Sequence, residues 1–595
     1  MDNAKTLTAP QAHIEAAAEW LERVESALSS VTELETLFAE GAHWRDAVAF
    51  TWDILTISGG SKIASVLAQR QAEMGARDFR LSPEPSAQVK MRGGRTVVEA
   101  FFDFTTKVGV GRGVVRIPWD EDSRGDIRAL TLLTSLAAVE GFPEPTHANR
   151  PRGGQYANNF GGPSWAEHRA VHQQYSDRSP DVLILGGGQA GMTLAARLGR
   201  LGVDALIIDR NARPGDNWRQ RYDALALHNE SWVCELPYMP YPPTWPVYLP
   251  KEMIAGWMET YAWAMELNYW TRTELLSAAF DDERKVWTVE LDHDGERVVF
   301  TPKHFVFATG MSGAPKIPTI PGLDAFAGEV IHTSQFTTGS QWRDRRALVI
   351  GTGNSAHDVA QDLHSHGADV TMVQRGSTTV TSVEPAAQLV FALYSEGPAI
   401  EDCDLLSVSM PYELFLTGQQ ILAQKMAEID RPLIEKLDAA GFRTDIGEDE
   451  SGYYMKYLRT GGGYYLNVGC SELIANGTIE VLQNGRIEEF TEKGVCLDDG
   501  STIDYDLIVL ATGYENMQDT TRRILGDEIA DRVGPVWGFD EHGDMRNVWK
   551  KTAQTNLWYM AGSFAQCRTY SRYLAQQIHA VLSGKVPAGP YERIA

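Results

Sequence analysis

From about residue 11 to residue 74, apolar side chains recur at helical spacing. Ile14, Ala17, Ala18, Leu21, Val24 and Leu28 share one face, and a second helical group is predicted through Trp44 and Trp52. After Gly75 the period shortens to two. VVEAFFDFTT, GVVRIPWD and DIRALTLLTSL read as strands, separated by turn clusters at 108–109 and 122–125. Helices followed by a sheet rich in β-branched and aromatic residues predict an α+β cone or half-barrel over residues 1–150. Trp44, Trp52 and Trp119 are candidates to line a pocket there, although such aromatics are more often core.

A Gly-, Pro- and Gln-rich stretch, 151–178, reads as a linker. From Asp181 strands and helices alternate, which predicts α/β architecture with doubly wound parallel sheets. A segment after Arg375 interrupts this alternation, with helices expected near 411–440 and a turn in RTGGGYYLNVG. The strand YDLIVLATGY and the helix SRYLAQQIHAVLSG follow, with Ser571 as the expected N-cap and Gly584 as the stop. The expected division is a first nucleotide domain over 179–336 and 480–595, split by a second over 337–479.

Composition narrows the function. The 595 residues carry 43% hydrophobic side chains and 16 Trp, enough for large packed cores. A net charge of −25 argues against nucleic-acid binding and against adsorption to anionic membranes. The five cysteines show no Cys-x-x-Cys spacing, so a dithiol redox pair and a zinc site are not expected. The first twenty residues have no apolar leader-like run, and a cytoplasmic protein is the expectation.

Two glycine-rich loops carry the chemistry. The first, in DVLILGGGQAGM, places Gly186, Gly188 and Gly191 between an apolar run and a helix, and Asp209 ends the next apolar run. This pattern suits FAD: the loop cradles a pyrophosphate at a helix N-terminus and the carboxylate bonds the ribose. The second, in ALVIGTGNSAHDVA, has Gly351, Gly353 and Ala356, and its following strand ends at Arg375. A guanidinium there can pair a 2′-phosphate, so NADPH is favoured. The adjacent Gln374 is neutral, so NADH is not repelled.

Between the loops lies FAGEVIHTSQF, with Phe326, Gly328, His332 and Phe336 in the order F-x-G-x-x-x-H-x-x-x-[FY]. Residues 308–322, ATGMSGAPKIPTIPG, and 507–515, LIVLATGYE, complete an ordered set of motifs. Over about 178–595 the chain resembles the class B flavin-containing monooxygenases. It departs from their fingerprint at Thr337, where Lys or Asp is usual, and Phe336 replaces the Trp of type I Baeyer–Villiger members. The extra N-terminal unit makes it most similar to the type II branch, in which NADH is often accepted beside NADPH. That unit itself resembles the SnoaL-like, nuclear-transport-factor-like cone.

The resemblance implies FAD, NADPH and O2, with one oxygen atom inserted into a ketone, a sulfide or an amine by way of a flavin C4a-(hydro)peroxide. It implies that Asn229 lies beside the reactive edge of the flavin and that His332, a candidate catalytic residue, sits in an inter-domain connector, where it orients the hinge or the nicotinamide more readily than it transfers a proton. Trp218, Arg219 and Tyr222 match a flavin-facing segment, Thr512 and Gly513 belong to the second A-T-G motif, and Gly562 allows close approach before the last helix. Arg219 and Arg221 are both candidates for a cation in the reaction space. A homodimer is expected, by resemblance. Two alternatives stay open: YUCCA-like oxidative decarboxylation of a 2-oxo acid, and an uncoupled NADPH oxidase or redox sensor. The N-terminal unit remains a candidate dimerisation element or lid.

Overall fold

The computed structural model describes residues 12–120, 127–156, 159–395 and 398–590; the turn expected at 122–125 lies outside them. The N-terminal unit is α+β, with helices Ala12–Ala27, Val31–Glu35 and Gly60–Met74 against a seven-stranded sheet. Its strands run Ile54–Ser58, Phe38–Ala47, Ala129–Val139, Gly109–Pro118, Arg95–Thr106 and Arg77–Leu81, with Gln88–Arg92 also on Arg95–Thr106.

The expected second helical group is corrected here, because Trp44 lies on strand Phe38–Ala47 and Trp52 in the turn after it. Residues 42–47 are buried on both faces, which erases the period-2 alternation that marks a half-exposed strand. Trp44 is fully buried and its indole donates to the Thr134 hydroxyl at 2.8 Å, so it is core rather than pocket lining. Trp52 and Trp119 pack half-buried against the same core.

Two five-stranded parallel sheets follow. The first runs Asn268–Trp270, Ala205–Ile208, Val182–Leu185, His304–Phe307, Leu557–Tyr559. The second runs Glu329–His332, Leu507–Leu510, Arg346–Ile350, Asp369–Gln374, Glu480–Gln483. The boundaries therefore move. Strands at 329–332, 480–483 and 507–510 belong to the second sheet, and the chain returns to the first only at Leu557–Tyr559. Buried parallel strands share one apolar pattern, so which sheet each joins is decided by tertiary packing.

The closing helix is also longer than expected. It spans Phe564–Leu582, capped by Ser563, whose side chain and that of Gln566 form a capping box. Ser571 is buried mid-helix and bonds back to the Arg568 carbonyl, so it is no N-cap. Gly584 sits just past the end with φ 69°, as expected of a stop. The expected helix near 411–440 is Tyr412–Ala439.

The N-terminal unit shares one continuous apolar core with the first nucleotide unit. Arg45 pairs with buried Asp544 at 3.0 Å and donates to the Val408 carbonyl. Ser135 bonds Tyr573, and Gln576 donates to the Leu136 carbonyl, so this unit grips the closing helix directly.

Candidate active site

In the first loop, strand Val182–Leu185 ends at Gly186, which has φ 109°. A Cβ on Gly186 would lie 2.5 Å from the Ala308 carbonyl oxygen, and one on Gly191 would lie 2.1 Å from the Gly186 oxygen. Only glycine permits both approaches. Gly188 caps helix Gln189–Arg200, and a Cβ there would meet only the Asn217 amide, at 3.4 Å, so space remains in front of the helix N-terminus. The Asp209 carboxylate accepts from the Gly187 and Asn211 amides at 2.7 and 2.8 Å, which braces the loop.

The N-terminus of the closing helix meets this loop, where the Gln189 amide donates to the Gly562 carbonyl at 3.3 Å. Trp218 stacks on Phe564 at 5.6 Å and 26°. The Trp218 indole N–H and the Thr309 hydroxyl are buried and find no hydrogen-bond partner among the described residues. Two converging helix N-termini, a cradle that no Cβ could share and two orphaned polar groups fit a bound dinucleotide.

The second loop repeats the plan. Gly351 has φ 130°, and a Cβ there would lie 2.4 Å from the Ala511 oxygen. Gly353 caps helix Asn354–Ser365, with nothing nearer to its virtual Cβ than the Tyr464 oxygen at 3.8 Å. Ala356 is buried in that helix. Arg375 is exposed at the end of strand Asp369–Gln374 and makes no ion pair among the described residues. Gln374 is buried and bonded to Arg443 and Gln483, so it does not face a ligand.

His332 is almost fully buried. The Ser334 amide donates to its Nδ1 at 3.1 Å, which leaves Nε2 to donate to the Gly513 carbonyl at 3.0 Å. Burial lowers its pKa, against the Gly513 bond, so it is a neutral pin between strand Glu329–His332 and the second A-T-G motif. This geometry opposes a catalytic proton transfer. Thr512 donates to the Lys316 carbonyl at 2.6 Å, and Gly513 also accepts from the Lys316 amide, so both residues are tied to the crossover segment.

Arg219, expected as a cofactor ligand, is bound within the protein. Its guanidinium is taken up by Asp216 at 2.7 Å, by Glu259 and by the Pro214 carbonyl. Arg221 is different: half-buried, 6.0 Å over the Tyr514 ring, and without a carboxylate salt bridge among the described residues. Asn229 is half-buried, and its side chain makes no hydrogen bond among the described residues. The Tyr222 hydroxyl bonds the Asp358 carboxylate, and Asp358 was not among the expected site residues. The signal for it was its position on the second-loop helix, facing the interior. A separate cavity of about 690 Å³ lies between the N-terminal unit and the body, lined by His43, Lys62, Glu413, Arg459 and Arg546, away from both loops.

The comparisons agree with this geometry. The family model described as pyridine nucleotide-disulphide oxidoreductase matches residues 183–391. The chain is 33% identical over 351 residues to indole-3-pyruvate monooxygenase YUCCA1 of Oryza sativa subsp. japonica, covering 58% of this chain and 80% of that protein. Among solved structures, ε-caprolactone-bound cyclohexanone monooxygenase matches with a TM-score of 0.51 and 20% identity, over 69% of this chain and 89% of that one. OTEMO in complex with FAD and NADP matches with a TM-score of 0.50 and 18% identity, over 68% of this chain and 85% of that one.

The chain belongs to the class B flavin monooxygenases. It is an NAD(P)H- and O2-dependent monooxygenase that works with FAD and NADPH on a small-molecule substrate. Among the described residues no helix is long and apolar enough to cross a membrane.

Proposed function

We propose that the chain inserts one oxygen atom of O2 into a ketone, with FAD on the Gly186 loop and NADPH on the Gly351 loop. The observation that carries this is the doubled loop: two glycine cradles on separate sheets, one ending at Asp209 and the other at exposed Arg375. Bound FAD supplies the ring that accepts hydride from NADPH and activates O2. The chain's own residues do the rest. The Gly188 and Ser563 helix ends favour negative charge, Trp218 closes one wall against Phe564, and the Asn229 amide is available to donate to the reacting oxygen. Arg375 recognises the 2′-phosphate of NADPH, while NADH is accepted more weakly.

The ketone reaction balances as ketone, O2, NADPH and a proton giving ester, NADP⁺ and water. Sulfides and amines are further substrates of the same site. A second reading is oxidative decarboxylation of a 2-oxo acid, giving the shortened acid, CO2, NADP⁺ and water. Arg221 favours it, since a half-buried guanidinium that makes no salt bridge among the described residues, with Asp358 as its nearby carboxylate, can pair a substrate carboxylate. The named activity of the YUCCA1 relative points the same way.

The branch is proposed as type II, with a SnoaL-like N-terminal unit, acting as a cytoplasmic homodimer. The test supplies cyclohexanone, a thioether and indole-3-pyruvate separately to the FAD-loaded protein with NADPH, and follows product, CO2 and hydrogen peroxide. Lactone formed in step with NADPH supports the ketone reading. CO2 released in step with NADPH from the 2-oxo acid alone moves the assignment to decarboxylation. Peroxide in place of any product returns the oxidase.

A further inference from the structure

Segment 221–229 is held by both nucleotide units, in the first through the Lys251 amide, which donates to the Leu225 carbonyl at 3.1 Å. Tyr222 is 3% exposed and lies in the second unit's apolar core with Phe336, Val349 and Ala356. Its hydroxyl donates to the carboxylate of Asp358, on the helix that begins at the second glycine loop. The Asp223 amide donates to the Thr337 carbonyl at 2.9 Å, and the Gln388 amide donates to the His228 carbonyl at 2.8 Å. Asn229 follows directly, between first-unit backbone bonds from the Leu227 amide to the Leu249 carbonyl at 2.8 Å and from the Ser231 amide to the Val247 carbonyl at 2.7 Å. Its position is therefore set jointly by the first unit's backbone and by these contacts across the domain boundary.

The arrangement has a consequence for chemistry. The second-loop helix carries both the N-terminus that faces a dinucleotide and the carboxylate that grips Tyr222. Any adjustment of that helix to a ligand moves the far end of the grip. A hydrogen bond to a carboxylate is directional and short-range, so it transmits such a shift where apolar contact alone would slide.

We propose that Tyr222 and Asp358 are positioning residues: their hydrogen bond lets the nicotinamide-side helix hold Asn229 in the reaction space. The inference rests on the assignment of NADPH to the Gly351 loop and deepens it. With the bond intact, dinucleotide binding and the placement of the Asn229 amide are one event. With it broken, electrons still reach O2 but leave as hydrogen peroxide, by NADPH plus O2 plus a proton giving NADP⁺ and H2O2.

The test uses FAD-loaded wild type, Tyr222→Phe, Asp358→Asn, the double variant and Asn229→Ala. Four quantities are read: FAD per chain, Tm, NADP⁺ Kd by fluorescence titration, and substrate-free peroxide release from NADPH. Both single variants are expected to keep their FAD and Tm, to weaken NADP⁺ by about tenfold, and to release peroxide several-fold faster, as suits one lost hydrogen bond to a charged group. The double variant is expected to match the singles, because one bond is removed once. Asn229→Ala is expected to raise peroxide release without changing the NADP⁺ Kd.

A purely structural role would lower Tm and FAD content together and leave peroxide release per bound FAD unchanged; that result overturns the proposal. So do additive effects in the double variant. Wild type that binds no NADP⁺ overturns the loop assignment itself, whereas tight wild-type binding with unchanged variants overturns only the positioning role.

Discussion

The two nucleotide units follow one plan and differ at three positions. In each, a strand runs into a glycine loop and a helix, a three-stranded antiparallel sheet follows, and a last strand delivers an A-T-G turn beneath the loop. The Ala308 carbonyl lies under Gly186 as the Ala511 carbonyl lies under Gly351, with virtual Cβ distances of 2.5 and 2.4 Å. The first difference is the residue ending the next strand of the unit: Asp209 is folded back on its own loop, whereas Arg375 is exposed. The second is the third loop position. Gly191 is in backbone contact, and Ala356 has room for its methyl. The third is cover: the closing helix, gripped by the N-terminal unit, meets the first loop, whereas a Cβ on Gly353 would meet only the Tyr464 carbonyl oxygen, at 3.8 Å. These differences support the proposed reading, in which the first cradle retains FAD and the second exchanges NADPH.

The sharpest way to break this comparison is at the glycines. Gly191→Ala drives a Cβ into the Gly186 oxygen and is expected to abolish FAD retention, read as flavin absorbance per purified chain. Gly351→Ala is expected to keep its FAD and to lose on the order of 100-fold or more in kcat/KM for NADPH, since strain of about 3 kcal/mol falls on the second loop alone. FAD loss in both variants would mean that the loops do not act separately.

The pH response compares the units through their buried histidines. His357, stacked on Tyr465 at 3.7 Å, has its pKa lowered by burial to about 4, and His304 in the first sheet is lowered to about 3. Both fold as neutral rings and both would bind a proton near 6.5 when unfolded. Their contribution is therefore complete above pH 6.5 and is lost as pH falls toward 4 and then 3. For His357 the loss is on the order of 3 kcal/mol across that window. Thermal melts of the FAD-loaded protein should show Tm falling from pH 7 to pH 5, with His357→Phe flattening the slope; a Tm that rises on acidification would contradict it.

Arg375→Ala is expected to lower kcat/KM for NADPH by roughly tenfold and to leave NADH within about twofold, as befits one charge-assisted phosphate contact. Equal losses for both dinucleotides would remove Arg375 from 2′-phosphate recognition. Arg219→Gln has the smallest expected effect. FAD content should stay unchanged and stability should fall by about 1 kcal/mol, because this guanidinium serves a partly exposed ion pair with Asp216 and Glu259. Loss of FAD there would restore it as a ligand.

Much of this was legible in the chain. Glycine spacing marks both cradles because backbone contact excludes every other residue, and the end of the next strand exposes Asp209 or Arg375 by simple register. Membership of a sheet was not legible: LIVL at 507–510 and LWY at 557–559 are equally apolar, and only packing assigns them. The strand that carries Trp44 shows no period-2 alternation because it is covered on both faces. The cap of the closing helix is legible as Ser563-x-x-Gln566, a capping-box pattern ahead of Ser571. The roles of Arg219 and His332 depend on partners distant in sequence, Glu259 and Gly513, which no local pattern announces.

The claim that the two cradles serve one hydride transfer is tested most directly by anaerobic mixing of the FAD-loaded protein with NADPH while flavin absorbance is recorded. Wild type should bleach rapidly, and Gly351→Ala, with its FAD retained, should stay oxidised. Flavin that stays oxidised in wild type, or bleaches equally fast in Gly351→Ala, would contradict it.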